Sequence, residues 1–200
     1  MTIVLVRHGQ TASNFARILQ VPETELDATG QQQARCLAPR LAALSPVHVL
    51  CSDLARARMT AAPLASLTGL PIELTPLLQE RNFGDLRGKP YSAFSGGDPF
   101  VPDLIPPGGE SWAAFHARVA EAFAAIVARR RACQGTLVVI THGLVLRSMF
   151  EFMIARGALT VPGSFDNTSV SIIAADAPHT ATLINCVEHL AARPAEVGFA

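Results

Sequence analysis

Three runs of mostly apolar, β-branched-rich residues constrain the fold of this 200-residue chain more than any other feature: Ile3-Val4-Leu5-Val6, Val47-His48-Val49-Leu50-Cys51 and Thr136-Leu137-Val138-Val139-Ile140-Thr141. A strand that is apolar on both alternating faces must be covered on both, which is the situation of an interior strand in a parallel sheet. The segments between the runs read as helices. Asp27 can cap one that begins at Ala28 and carries Ala34, Leu37, Leu41 and Leu44 at helical spacing, with Pro46 as its stop. Ser52-Asp53 opens an alanine-rich helix to Thr68, where Gly69 ends it, and Leu144 to Ala155 continues as a helix from the third run. Ser111 caps a long helix with Phe115, Val119, Phe123 and Ile126 on one stripe, and Arg129-Arg130-Arg131 fall in its last turn, where they complement the helix dipole. Pro71 to Leu74 reads as a short strand, and Ser169 to Ala175 and Ala181 to Val187 as two strands joined by a turn. The expectation is an α/β fold, three-layer α/β/α, with a mostly parallel central sheet. Residues 76–109, rich in proline and glycine, should form a long functional loop or flap, and the tail after Leu190 should be loosely held.

Length suits one domain spanning residues 1–200. Sixteen basic residues balance sixteen acidic ones, so no global field recruits nucleic acid or an anionic membrane, and any affinity for anions must be local. Cys36, Cys51, Cys133 and Cys186 form no CxxC pair and no dense framework; they read as buried thiols of a reducing compartment. The N-terminus lacks the layout of a secretory signal and no segment reaches the roughly 20 apolar residues of a membrane span, so a cytoplasmic protein is expected. The six histidines show no H-x-x-x-H or H-E-x-x-H spacing, and no metal and no cofactor are expected.

In such sheets ligands bind beyond the carboxyl ends of the strands, and two of the three runs end there in Arg7-His8-Gly9 and His142-Gly143. A neutral imidazole is a competent nucleophile, an adjacent guanidinium can neutralise two oxygens of a phosphoryl group, and the glycine lets the backbone turn sharply. The bland reading covers the rest. His48, His116, His179 and His189 read as packed, hydrogen-bonded or turn residues, and Arg58, two positions from Arg56 on a helix, points away from it.

Arg7-His8-Gly9-Gln10-Thr11-Ala12-Ser13-Asn14 resembles the R-H-G-x-[ST]-x-x-N signature of the histidine phosphatase superfamily. The resemblance continues in order: Leu26 to Ala34 (L-[ST]-x-x-G-x-x-Q-A, with Asp27 as the cap), Ser52 to Ala61 (S-x-L-x-R-A-x-x-T-A), the acid-bearing Glu80 to Gly88, Pro107 to Ser111 (G-G-E-S) and Thr141-His142-Gly143. It implies a phosphoglycerate-mutase-like fold and a metal-independent phosphomonoesterase that works through a phosphohistidine. By that resemblance His8 is phosphorylated, Arg7 and Arg56 hold the phosphoryl oxygens, His142 completes the pocket as a donor, and Glu80 is the general acid and base. Asn14, Thr11, the Gly143 N–H and Phe83, which stands where the mutases commonly have Tyr, are further substrate-binding candidates.

The same superfamily contains cofactor-dependent phosphoglycerate mutases, which need extra cations at the substrate end of the pocket. Between Lys89 and Arg118 this chain has no Lys or Arg, but Tyr91, Phe94, Phe100, Val101, Leu104, Ile105 and Trp112. The resulting expectation is a phosphatase with an apolar-walled entrance and a small phosphomonoester as partner, without nucleic acid or membrane; a homodimer stays possible. A catalytically silent, protein-binding homologue is the remaining alternative, and it predicts damage to His8, Arg56, Glu80 or His142, none of which is damaged.

Overall fold

The computed structural model describes residues 2–191. Six strands form one sheet in the order β3-β2-β4-β1-β5-β6: β1 (Thr2–Arg7), β2 (Pro46–Ser52), β3 (Ile72–Thr75), β4 (Thr136–Thr141), β5 (Val170–Ala174) and β6 (Ala181–Cys186). The first four strands are mutually parallel, and β5 runs antiparallel to both β1 and β6. The helices are α1 (Ala12–Phe15), α2 (Ala28–Ala42), α3 (Ala55–Thr68), α4 (Trp112–Ala132) and α5 (Gly143–Phe152).

The period-two geometry of a strand divides the core between two faces. Val4, Val6, Val49, Cys51, Val138 and Ile140 pack with Leu37 and Leu41 of α2 and Ala61 and Leu64 of α3. Ile3, Leu5, Leu50, Leu137 and Val139 join Phe115, Val119 and Ile126 of α4 and Leu146 and Met149 of α5 on the other side. The α/β/α layering and mostly parallel sheet are those the apolar runs call for.

Boundaries differ in instructive places. Pro46 opens β2 instead of ending a helix: α2 has already stopped at Ala42, and Ser45 turns the chain at φ 48°. The α3 start falls later than Ser52-Asp53, because Ser52 is spent on β2 and its hydroxyl accepts the Leu54 N–H at 3.3 Å. The α5 helix starts at Gly143 and ends at Phe152, three residues short of Ala155. Arg130 is buried, donating to the Cys133 carbonyl, so only Arg129 and Arg131 lie at the surface of the last turn of α4. Residues 76–109 hold four single 3₁₀ turns and no longer element. Cys51 is buried, the other cysteines are half-buried, and all four are free thiols. No described helix is long and apolar enough to cross a membrane. The tail beyond Ala191 lies outside the described residues.

Candidate active site

Because β1 and β4 are adjacent and parallel, with Arg7 opposite Thr141, the residue after each strand falls beside the other. His8 and His142 therefore stand with ring centroids 5.0 Å apart, and the His8 N–H donates to the Thr141 carbonyl at 3.0 Å. The loop behind His8 is pinned through two glycines. A Cβ on Gly9 would come within 2.8 Å of the Gly30 carbonyl oxygen, and one on Gly30 within 2.0 Å of that of Gln10. The same contact lets Gln33 Oε1 accept the Gln10 N–H at 2.8 Å and Thr60 Oγ1 accept the Gly9 N–H at 2.9 Å. The G-x-x-Q spacing of α2 thus docks the loop that carries His8.

His8 is 2% exposed, and its Nδ1 lies 2.7 Å from the Gly9 carbonyl oxygen. A carbonyl can only accept, so Nδ1 carries the proton and Nε2 keeps its lone pair. Burial, and then the charges of Arg56 and Arg7, hold the His8 pKa well below its ordinary value, so the ring is neutral at pH 7. His142 is depressed in the same way; its Nε2 is 2.8 Å from the Ser52 hydroxyl, and its buried Nδ1 has no partner among the described residues.

Arg7 and Arg56 are gathered beside these rings. Arg7 donates to the Phe165 carbonyl, and Arg56 makes one long bond, 3.4 Å, to that of Val21. Each has a buried Nε without a partner among the described residues, which leaves donors for an anion. Burial lowers Arg56 to about 10, and Glu80 offsets part of this; it stays charged at neutral pH. Glu80 is half-buried. Its Oε1 accepts the Arg81 N–H at 3.0 Å and its Oε2 accepts the Leu144 N–H at 3.2 Å, so the first turn of α5 holds the carboxyl group. Burial nonetheless pushes its pKa up, against the opposing pull of those two N–H groups and of Arg56 and Arg7. Among the described residues no three His, Cys, Asp or Glu side chains come together as a metal-donor set.

Arg7, His8, Asn14, Arg56, Glu80, Phe83 and Gly143 all line one cavity of about 460 Å³. The family description that matches residues 3–184 is the histidine phosphatase superfamily (branch 1). The chain belongs to the histidine phosphatase superfamily. It is 36% identical over 184 residues to phosphoglycerate mutase-like protein 4 of Arabidopsis thaliana, covering 85% of this chain and 77% of that protein. Similarity to the metal-independent phosphoserine phosphatase of Arabidopsis thaliana is also 36%, over 187 residues, 86% of this chain and 75% of the relative. The solved structure of the α-ribazole phosphatase from Shigella flexneri superposes with a TM-score of 0.74 at 28% identity, covering 94% of this chain and 97% of that one. The chain is accordingly a phosphatase enzyme with the phosphoglycerate-mutase-like fold.

Two sequence expectations for this histidine phosphatase change on the structure. Thr11 does not line the cavity: it is fully buried, its hydroxyl accepts the Asn14 N–H at 3.0 Å as the cap of α1, and its own N–H goes to Asn14 Oδ1 at 2.5 Å. The entrance is not apolar-walled. Tyr91, Phe83 and Phe100 do line the cavity, but so do six arginines, Arg7, Arg17, Arg56, Arg81, Arg87 and Arg147. The gap in cations between Lys89 and Arg118 misled because the wall is built from segments outside that window. His142 itself is fully buried beside His8, with the two ring centroids 5.0 Å apart. Arg58 is exposed and away from the site, His48 bonds Glu73, His116 bonds Ser148 and stacks on Trp112, His179 bonds the Ala174 carbonyl, and His189 bonds Thr168.

Residues that sequence reasoning missed hold the machinery in place. Asn167 receives a bond from Asn14 Nδ2 and donates to the His8 carbonyl, both at 3.0 Å, bridging the His8 loop to the segment before β5. Arg118 donates to the carbonyls of Leu77 and Gln79 at 2.8 and 2.9 Å and pairs with Glu110, whose Oε2 also accepts the Asn82 N–H at 2.8 Å. This pair clamps the segment that carries Glu80. The only sequence signal for it was the glutamate of the G-G-E-S turn.

Proposed function

We propose that the protein is a metal-independent phosphomonoesterase that passes the phosphoryl group through His8 Nε2 to water. The observation that carries this reading is the Gly9 carbonyl bound to His8 Nδ1, which fixes the tautomer with the nucleophilic nitrogen free beside two guanidinium groups. The substrate phosphoryl group would sit between Arg7 and Arg56, which take the charge-neutralising role of a metal ion. With Nε2 accepting from the Ser52 hydroxyl, His142 Nδ1 carries a proton and is the remaining donor for a phosphoryl oxygen. His8 Nε2 attacks phosphorus while the protonated Glu80 gives its proton to the departing alkoxide. In the second half-reaction the Glu80 carboxylate takes a proton from water as its oxygen attacks phosphohistidine, releasing phosphate and restoring both groups. The metal-independent phosphoserine phosphatase among the relatives supports the chemistry.

Rapid acid- and base-quenching of the enzyme with labelled substrate tests it. An acid-labile, base-stable phosphoramidate at His8, full activity in excess chelator and retained configuration at chiral phosphorus are expected; inversion, or loss on chelation restored by one divalent ion, overturns the proposal. The arginines at the entrance favour a second reading, a mutase that keeps an anionic product in place. Appearance of 2-phosphoglycerate from 3-phosphoglycerate primed with bisphosphoglycerate, faster than release of phosphate, would select it.

A further inference from the structure

Four of the six arginines in the cavity are not at its base, and they differ in how far they are already engaged. Arg81 donates to the carbonyls of Leu104 and Glu110 and lies 4.0 Å from the centre of the Trp112 ring, so it is part of the wall. Arg147 shares the exposed face of α5 with Glu151 one turn on, and the two also border a neighbouring hollow with Trp112 and His116. No ion pair joins Arg147 to Glu151, but Arg17 and Arg87 have neither a hydrogen bond to the wall nor an acid one helical turn away. No hydrogen bond or ion pair ties either guanidinium among the described residues; Arg17 lies only over the Tyr91 ring, 5.4 Å from its centre.

The backbone brings these two together from distant parts of the sequence. The Leu19 N–H donates to the Lys89 carbonyl at 3.0 Å, the Gly88 N–H to the Leu19 carbonyl at 2.7 Å and the Tyr91 N–H to the Arg17 carbonyl at 2.8 Å. The loop after the nucleophile and the loop after the acid are thus zipped side by side, each presenting one arginine to the same cavity. No acid pairs with either among the described residues: Asp85 is exposed beside Gly108, and Asp98 Oδ1 accepts the Phe100 N–H at 2.7 Å. Arg87 is close enough to Arg56 to help lower its pKa, so gathering these cations opposes their own charge. Unpaired like charges around one cavity, in a chain whose net charge is zero, are what an anionic ligand compensates.

We propose that Arg17 and Arg87 form a subsite for a second anionic group, carboxylate or phosphate, on the leaving alcohol, so that the preferred substrates are phosphomonoesters of acidic rather than neutral alcohols. This rests on the phosphatase reading of the cavity base. The planar guanidinium forks suit a carboxylate or phosphate as paired acceptors, and the distance from the base sets which alcohols span the two sites.

Calorimetric binding of three inert phosphonates to the full-length enzyme tests the subsite without turnover: propylphosphonate, 4-phosphonobutyrate, which adds one carboxylate, and propane-1,3-bisphosphonate, which adds a phosphonate. At least one of the two probes with a second anionic group should bind about tenfold more tightly than propylphosphonate, the order expected of a charge-assisted pair. Whichever is favoured identifies the second group. The advantage should fall to about twofold or less in Arg17→Gln/Arg87→Gln and shrink with added salt, as for solvent-facing charges, while Arg58→Gln keeps it. Equal affinities for all three probes in the wild type, or an advantage that survives the double replacement, overturns the proposal. If the wild type shows the advantage but hydrolyses no phosphomonoester, the phosphatase reading fails and the subsite stands.

Discussion

The base and the rim of the cavity are built on opposite principles. At the base His8, Arg56 and His142 are 2%, 2% and 0% exposed, and hydrogen bonds from strand ends and glycine contacts fix the surrounding loop. At the rim Arg17 and Arg147 are exposed and Arg87 is half-exposed, on loops and the outer face of a helix. Buried cations with unsatisfied donors are costly and gain most from a ligand that compensates them, whereas rim cations cost little and can be exchanged freely. The base is where chemistry is set, and the rim is where the choice of substrate can drift.

The comparison breaks first if the base tolerates change. Arg56→Ala should lower kcat/KM by about a thousandfold, the scale of losing a preorganised transition-state donor, for every phosphomonoester alike. Steady-state kinetics on an aryl and an alkyl ester check this; a loss confined to one of them would move Arg56 to the leaving-group side. A smaller effect is expected at the clamp. Arg118→Lys, which keeps the charge but not the fork, should reduce kcat by about ten- to a hundredfold through misplacement of Glu80.

The clamp also has a pH signature. In the proposed mechanism Glu80 acts first as an acid, and burial raises its pKa, so kcat/KM for an alkyl ester should be high below that pKa and fall as pH rises through it. That limb should be missing in Glu80→Gln and displaced to lower pH in Arg118→Lys if the carboxyl group becomes better solvated. An unchanged limb in Arg118→Lys would leave the pair a purely structural role. The smallest effect belongs to the rim. Arg147→Gln, with Glu151 beside it, should change kcat/KM by no more than about threefold and lose even that at high salt, measured as an ionic-strength series.

The same contrast explains what the amino-acid sequence disclosed. The apolar runs revealed the sheet because a doubly covered strand has no other composition, and the histidines and glycines of the base lie next to those strands, so adjacency in sequence became adjacency in space. Arg17, Arg87 and Arg147 lie 39, 31 and 91 residues from Arg56 in sequence, and only the pairing of two loops and the packing of α5 bring them to one cavity. Thr11 shows the converse: a motif residue placed at the ligand by resemblance is used to cap a four-residue helix. Pro46 shows that a helix-stopping residue does not say where the helix has already stopped.

The pairing of residues 17–19 with 88–91 also divides the long loop into parts of different freedom. On one side Tyr91 is anchored through its N–H to Arg17, and on the other the Leu104 carbonyl is held by Arg81 at 2.6 Å, with Val101 taking the Trp112 indole N–H at 3.0 Å. The stretch from 92 to 99 runs between these moorings and Phe100, whose ring packs on Phe83 and Tyr91 in the cavity wall, and it has no strand to keep in register. Loop closure depends only weakly on length, so a few residues could be added or removed there for a small entropic cost. The molecule therefore contains a replaceable cassette next to the aromatic part of its cavity wall, where length can vary while the base keeps its hydrogen bonds.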